Sequence, residues 1–251
     1  MIGALAAAWV TARQSGDGTT VFGGGQGDGA SAGTECGDAA YAAFSPDELP
    51  AYAGEPYCVV NDNKPFFLDD LDTPGGLFPS YASYEIYGDL DALGRCTAAK
   101  ACLGEDLMPE NERESIRDIR PTGWHSVKYA GIDQDYLYNR CHLIAYILTG
   151  ENSNEKNLIT GTRYLNTEGM EPFEKEVMSY LYSTGRHVEY RVTPVFVAKE
   201  LVARGVLMEA YSLEDNGRGV CFCVYCYNVQ PGVTIDYATG ESIGPAFAGA
   251  A

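Results

Sequence analysis

Positive charge is scarce in this chain of 251 residues, which has 17 lysines and arginines against 35 aspartates and glutamates. The formal net charge of -18, taken alone, argues against a polyanionic partner, because like charges repel each other. The bases are unevenly placed, however: residues 1–94 contain two of them and residues 95–251 contain fifteen. Any anion-binding surface is therefore expected in the second part of the chain.

The chain also lacks an apolar run long enough to cross a bilayer. The segment MIGALAAAWV is apolar, but a span needs about 20 such residues, and this segment has no basic flank. Residues 1–13 are interpreted as the remnant of a signal peptide or membrane anchor, with an unstructured tail as the alternative. Residues 14–43 are rich in glycine and small polar residues and predict a flexible linker. The folded domain is then 44–251.

The eight cysteines do not complete a zinc-ligand pattern. CFCVYC at 221–226 has C-x-C-x-x-C spacing, but no cysteine or histidine pair follows it to complete a tetrahedral set. These residues are therefore predicted to be ordinary strand cysteines. The even count permits disulfides without requiring them, and Cys96 with Cys102 would close a short loop.

Three segments late in the chain alternate between apolar and polar residues and predict an antiparallel meander. They lie at 188–197, 201–213 and 219–229. Pro194 predicts a bulge or an edge position in the first segment. The Asn-Gly pair within EDNGRG predicts a hairpin between the last two.

Two helices are predicted before this meander. One begins near Pro172, which suits a first helical turn, and ends at Gly185. The other covers 110–121 and ends before Pro121. The predicted fold class is α+β, with a central antiparallel β-sheet flanked by helices.

The residues with the most chemical potential lie between Tyr138 and Glu174. His142 opens the apolar run HLIAYIL, which fits either a buried strand or a helix. An isolated histidine is most often a core residue, but a neutral imidazole next to arginine also suits the deprotonation of water. Asn157 and Asn166 border apolar or aromatic residues, and an amide oxygen is a neutral ligand that Mg²⁺ accepts.

At these residues the chain resembles the DNA/RNA non-specific endonucleases with a ββα-metal (His-Me finger) site, in the branch that contains streptococcal DNases and DNA-entry nucleases. The family motif Asp-Arg-Gly-His corresponds here to Asn-Arg-Cys-His at 139–142. HLIAY, EKN and RYLN then follow in the family's order, and GWHSVKY, RVTPVF and YNVQPGVTIDYATG add matches outside the motif. The resemblance covers roughly residues 50–240.

The resemblance implies roles for individual residues. His142 is similar to the general base that takes a proton from the attacking water, and Asn166 to the direct protein ligand of Mg²⁺, for which Mn²⁺ would substitute. Glu174 is similar to the carboxylate that holds a metal-bound water. The implied activity is hydrolysis of DNA, with RNA as an alternative substrate, to products with a 5′-phosphate. No small-molecule cofactor is implied, and the expected location is the outside or surface of a bacterial cell.

Two further residues match the family and two depart from it. Asn157 resembles the amide that orients the site, and Arg140 the motif arginine that contacts phosphate. Asn139 replaces an aspartate and Cys141 replaces a glycine, so a charge is missing and an additional side chain needs space. Arg163 would bind phosphate or form a surface ion pair.

These departures and the charge of -18 leave two alternatives to an active endonuclease. One is a weak or inactive nucleic-acid-binding surface protein on the same fold, and the other is a nuclease toxin. The oligomeric state and the disulfide pairing are left open.

Overall fold

The computed structural model of the protein describes residues 49–68 and 81–247. The segments predicted at 1–13 and 14–43 lie outside these residues. In the described part, no helix is long and apolar enough to span a membrane. The strands of that part are, in chain order, β1 (Tyr57–Val59), β2 (Tyr84–Tyr87), β3 (Ala99–Leu103), β4 (Tyr138–His142), β5 (Leu158–Thr162), β6 (Val188–Val195), β7 (Gly205–Ser212), β8 (Cys221–Tyr227), β9 (Thr234–Ile235) and β10 (Ser242–Ile243).

The central element is a six-stranded antiparallel sheet in the order β1-β8-β7-β6-β3-β2. The predicted meander is confirmed as β6, β7 and β8. Asn216 and Gly217 form the predicted turn with φ values of 57° and 73°, the conformation that favours Asn-Gly in hairpins. The pairing of β3 with β6 ends at Val192, so the missing N–H of Pro194 removes no bond to β3.

Both faces of this sheet are covered. One face carries the main apolar core, which includes Tyr190 and Met208. On the other face, Arg191 and Glu209 form a buried ion pair with an Nε–Oε2 distance of 2.6 Å. The backbone N–H of Phe66 donates to Glu209 at 2.7 Å, so the N-terminal part of the domain is bound to the sheet. The sheet is therefore a rigid support for the elements that pack on it.

A separate hairpin of β4 and β5 packs beside the sheet, followed by a helical stretch. This stretch contains a π-helix (Leu165–Met170) that continues into α2 (Glu171–Thr184). Asn228, at the end of β8, connects the parts: its Oδ1 accepts from the Thr162 N–H at 2.8 Å, and its Nδ2 donates to the Thr160 carbonyl. The α+β class with a central antiparallel sheet is thus confirmed.

The helix predicted from Pro172 to Gly185 is confirmed as α2, and Gly185 ends it with a φ of 63°. The π-helix before it was not predicted. Proline has no N–H for an intrahelical bond and its ring crowds the preceding turn, so a widened turn just before Pro172 is physically reasonable. The run HLIAYIL was expected to form a strand or a helix, and it contains part of each. β4 ends at His142, and a single helical turn, α1 (Tyr146–Thr149), follows.

The helix predicted at 110–121 is wrong, because this segment has no regular helix. Its carbonyl oxygens are bound by side chains from the hairpin region instead of by N–H groups one helical turn later. Tyr146 donates to the Asn111 carbonyl at 2.7 Å, and Asn152 donates to the Glu114 carbonyl at 3.0 Å. These contacts hold the segment against the residues between β4 and β5.

The seven cysteines of the described residues are free thiols. Cys96 and Cys102 are not joined, and the Cys96 thiol donates to the Leu158 carbonyl at 3.2 Å. Cys223 and Cys226 are fully buried in β8, as ordinary strand residues would be.

Candidate active site

A groove of about 1190 Å³ runs between the β4–β5 hairpin, the irregular segment 113–120 and the start of α2. The residues that line it include five arginines: Arg113, Arg117, Arg120, Arg140 and Arg163. In a chain with a net charge of -18, this is a local concentration of positive charge. We call this feature the arginine groove. Such a groove attracts anionic ligands in spite of the overall charge.

His142 faces the arginine groove from the end of β4, with only 7% of its surface exposed. Its Nε2 lies 2.9 Å from the backbone carbonyl oxygen of Asn152. A carbonyl oxygen can only accept, so Nε2 carries the hydrogen of the neutral ring. The lone pair of the other nitrogen, Nδ1, therefore receives the hydrogen bond from Arg113 Nη2, at 3.1 Å. The ring is thus fixed with its basic nitrogen toward the groove arginines.

The surroundings of His142 also keep it uncharged. Burial lowers the pKa of the imidazole to about 4, and the positive charge of Arg113 acts in the same direction. The hydrogen bond to the Asn152 carbonyl opposes this shift but is the smaller effect. At neutral pH the ring is therefore unprotonated at Nδ1, and this nitrogen keeps its lone pair.

Asn166, Glu171 and Glu174 place oxygen atoms on one side of the arginine groove. All three lie on the continuous stretch formed by the π-helix and the first turn of α2. Burial, reinforced by the charge of Glu171, raises the pKa of Glu174 to about 8. A cation at this place would stabilise the ionised carboxylate.

These donors fit a hard divalent metal ion. In the ranges covered by the structure, no group of three or more His, Cys, Asp or Glu side chains is arranged to hold a metal. The available set is an amide oxygen with nearby carboxylates, and Mg²⁺ binds through few protein oxygens because it retains most of its waters.

The structure places Arg140 on the groove wall, but its guanidinium is engaged by the protein. Its Nε donates to the Ile119 carbonyl and its Nη2 to the Arg117 carbonyl, each at 2.5 Å. The guanidinium carbon also lies 4.1 Å from the centre of the Trp124 ring. Burial, and then the charge of Arg120, lowers its pKa. Arg140 therefore supports the segment that carries other groove arginines.

Asn157 and Arg163 are also held by protein groups. Asn157 is fully buried and exchanges two hydrogen bonds with the backbone of Ile144, at 2.9 and 3.0 Å. It fixes the chain just after His142 and does not line the groove. Arg163 does line it and forms an ion pair with Asp133 at 2.6 Å.

The two residues that depart from the family motif lie on either side of Arg140. Asn139 lines the groove, and its buried Nδ2 has no hydrogen-bond partner among the residues that the structure describes. Cys141 points into the core with 1% of its surface exposed. Burial raises the pKa of its thiol, which therefore keeps its proton.

The sequence predictions missed Arg113, Arg117 and Arg120 as groove residues. They lie in the segment 110–121, for which the sequence predicts a short helix. The available signal was their concentration in a strongly acidic chain, directly before the histidine motif.

The known proteins that this chain is similar to are nucleases. The DNA/RNA non-specific endonuclease family matches residues 79–213. A deoxyribonuclease from Streptococcus dysgalactiae subsp. equisimilis is 35% identical over 110 residues, which are 42% of this chain and 32% of that protein. The match thus spans about a third of the length of this curated relative.

Solved nuclease structures have the same fold. NucA from Streptococcus agalactiae with magnesium ion bound has a TM-score of 0.65 at 25% identity, over 78% of this chain and 92% of that chain. NucA with no metal bound gives 0.64 at 26% identity, over 79% and 92%. The Sda1 nuclease with bound zinc ion gives 0.55 at 28% identity, over 64% and 80%.

Proposed function

Because the chain belongs to the DNA/RNA non-specific endonuclease family, we propose that it hydrolyses phosphodiester bonds in the arginine groove with the help of a divalent metal ion, Mg²⁺ by preference and Mn²⁺ as a substitute. The observation that carries this proposal is the orientation of His142. Its Nε2 is bound to a carbonyl oxygen, and its Nδ1 faces an arginine in an anion-attracting groove. A general base for attack on a phosphate needs this combination.

In the proposed reaction, Nδ1 of His142 takes a proton from the attacking water. In the free protein, Arg113 donates a hydrogen bond to the same nitrogen. When a phosphate enters the groove, the guanidinium transfers its hydrogen bond to the phosphate oxygens. This frees the lone pair of Nδ1 and brings a positive charge to the place where negative charge develops.

Asn166 would hold the metal ion through Oδ1, and Glu174 would orient one of its water molecules. A bound Mg²⁺ supplies Lewis-acid stabilisation of the departing 3′-oxygen. Asn157 keeps the backbone after His142 in place, and Arg140 keeps the 113–120 segment in place. The proposed products carry a 5′-phosphate and a 3′-hydroxyl.

The proposed substrate is DNA, as the name of the streptococcal relative suggests, with RNA as a second substrate. Every proposed contact is made to phosphate or metal, so low sequence selectivity is expected. An extracellular or cell-surface location in a bacterium is proposed, in line with similar folds that are named extracellular nucleases.

The test is a plasmid-nicking assay with purified protein near pH 7.5. Supercoiled DNA should be nicked in Mg²⁺ or Mn²⁺ and left intact with a chelator. DNA ligase should reseal early nicks, because it requires a 5′-phosphate next to a 3′-hydroxyl. Nicks that ligase cannot seal would refute the proposed product. Binding of DNA without any cleavage would favour the non-catalytic alternative. An RNA transcript is incubated with the protein in parallel, and its cleavage or survival decides whether RNA is a second substrate.

A further inference from the structure

We propose that Cys141 is a positioning residue for Asn166. In this inference the Cys141 thiol donates a hydrogen bond to the Asn166 side-chain oxygen and fixes the direction in which that oxygen meets a metal ion. The inference rests on the proposed function, in which Asn166 Oδ1 is the metal ligand. It assigns a task to a residue at which this chain departs from the family motif.

The contact itself is short and enclosed. The Cys141 Sγ lies 3.2 Å from Asn166 Oδ1 and 3.4 Å from the Sδ of Met170. The single S–H hydrogen is available to one acceptor at a time, and an amide oxygen is a better acceptor than a thioether. The backbone carbonyl of His142 is a more distant acceptor at 3.8 Å. The thiol therefore donates to Asn166 Oδ1, and the Met170 contact is one of packing.

This hydrogen bond distinguishes the two ends of the amide. A protonated thiol can donate to Oδ1, whereas the NH₂ group in the same place would meet a second donor. The side chain is therefore held with its oxygen in a defined position. Oδ1 has two lone pairs, so one accepts from Cys141 and the other is free for a ligand in the groove. A ligand atom that is already oriented loses less freedom when it binds a metal ion.

The neighbouring strand provides the space for this side chain. A Cβ atom built on Gly161 would lie 2.6 Å from the Cys141 Cβ and 3.2 Å from its Sγ. Cys141 pairs with Ile159, so Gly161 is two residues further along β5. Any larger residue at Gly161 would push Cys141 away from Asn166. Where the family motif has a glycine, this chain has Cys141, and Gly161 on the neighbouring strand leaves room for the cysteine side chain.

The experiment measures metal affinity without nucleic acid. Mn²⁺ is titrated by electron paramagnetic resonance into the wild type, Cys141→Ala, Cys141→Ser and Asn166→Ala. The wild type should bind, and Cys141→Ala should bind about three- to tenfold more weakly, because supporting groups of metal ligands typically contribute at least this much. Cys141→Ser, which retains a donor, should stay within about twofold of the wild type.

Cys102→Ala is the matched control, because Cys102 has the same 1% exposure and lies in β3, outside the groove. Its affinity should equal that of the wild type. Melting temperatures are measured in parallel, because a packing role alone would lower them without changing the affinity. Cys141→Gly is a second variant without a donor, in case the alanine variant does not fold.

Three results would overturn the inference in distinguishable ways. If Cys141→Ala and Cys141→Gly bind Mn²⁺ as tightly as the wild type or more tightly, Cys141 does not position the ligand. If Cys141→Ser binds as weakly as the alanine variant, the hydrogen bond is not the cause. If the wild type does not bind, or Asn166→Ala binds equally well, the proposed metal site itself fails.

Discussion

At the scale of single residues, the buried His142 makes stability depend on pH. Its pKa is about 4 in the folded protein, against an ordinary value near 6.5. Above pH 6.5 the ring is neutral in both states. Between 6.5 and 4 the unfolded chain takes up a proton that the folded protein does not, so stability falls as the pH falls.

We therefore expect the wild type to lose about 2 kcal/mol more than His142→Gln between pH 7.5 and pH 5. The measurement is urea denaturation of both proteins at the two pH values. Equal losses would contradict a lowered pKa.

Arg113 is predicted to act on the phosphate as well as on His142. Its replacement by alanine should lower kcat by about 100-fold, because a cation is lost where charge develops in the transition state. The value of KM should change less, because the contact strengthens only as the reaction proceeds. Steady-state kinetics on a defined oligonucleotide check this, with Arg218→Ala, in the β7–β8 turn, as the control. A higher kcat in Arg113→Ala would mean that this arginine only blocks the base.

Part of the site was accessible from the sequence. His142, Arg140, Asn166 and Glu174 do line one groove, because the hairpin and the helix that follows it are consecutive in the chain. The sequence could not predict whether Arg140 binds phosphate or backbone carbonyls. Its partners, the Ile119 and Arg117 carbonyls, depend on the path of a loop. The same applies to Arg163, whose ion pair with Asp133 was one of two expected outcomes.

At the scale of elements, Arg140 is predicted to hold the 113–120 segment against the hairpin. Arg140→Lys retains the charge but loses the fork that binds two carbonyls at once. Hydrogen exchange should become about tenfold faster in this segment and stay unchanged in β6, β7 and β8. Activity should fall mainly through a higher KM for DNA. Lost activity with unchanged exchange would instead assign Arg140 to direct phosphate contact.

Elements with a regular pattern were predictable, and those defined by distant partners were not. The meander and α2 were correctly predicted, because their alternation, turn glycines and helix end are local properties. β1, β2, β3 and β5 were missed, since each has only three to five residues. The false helix at 110–121 shows the opposite case, in which side chains from elsewhere bind the carbonyls that a helix would use.

At the scale of the whole molecule, a chain with a net charge of -18 has a groove that five arginines line. Binding of DNA should release counterions from each phosphate that an arginine contacts, so affinity should fall with salt. Replacing both Arg117 and Arg120 by alanine should reduce the slope of log affinity against log salt by about 2. Fluorescence anisotropy of a labelled duplex with the His142→Ala protein checks this. Replacement of Arg186 and Arg218, outside the groove, should leave the slope unchanged, and an equal reduction there would contradict a localised binding site.

The role of His142 as the general base is tested most directly by the rate of plasmid nicking by His142→Ala in Mg²⁺. Only three histidines are present, and His187, which pairs with Glu214 away from the groove, provides the control. We expect His142→Ala to be slower by about 10³-fold, in the usual range for a general base, and His187→Ala to stay within about threefold of the wild type. A His142→Ala protein that nicks plasmid at the wild-type rate would contradict this role.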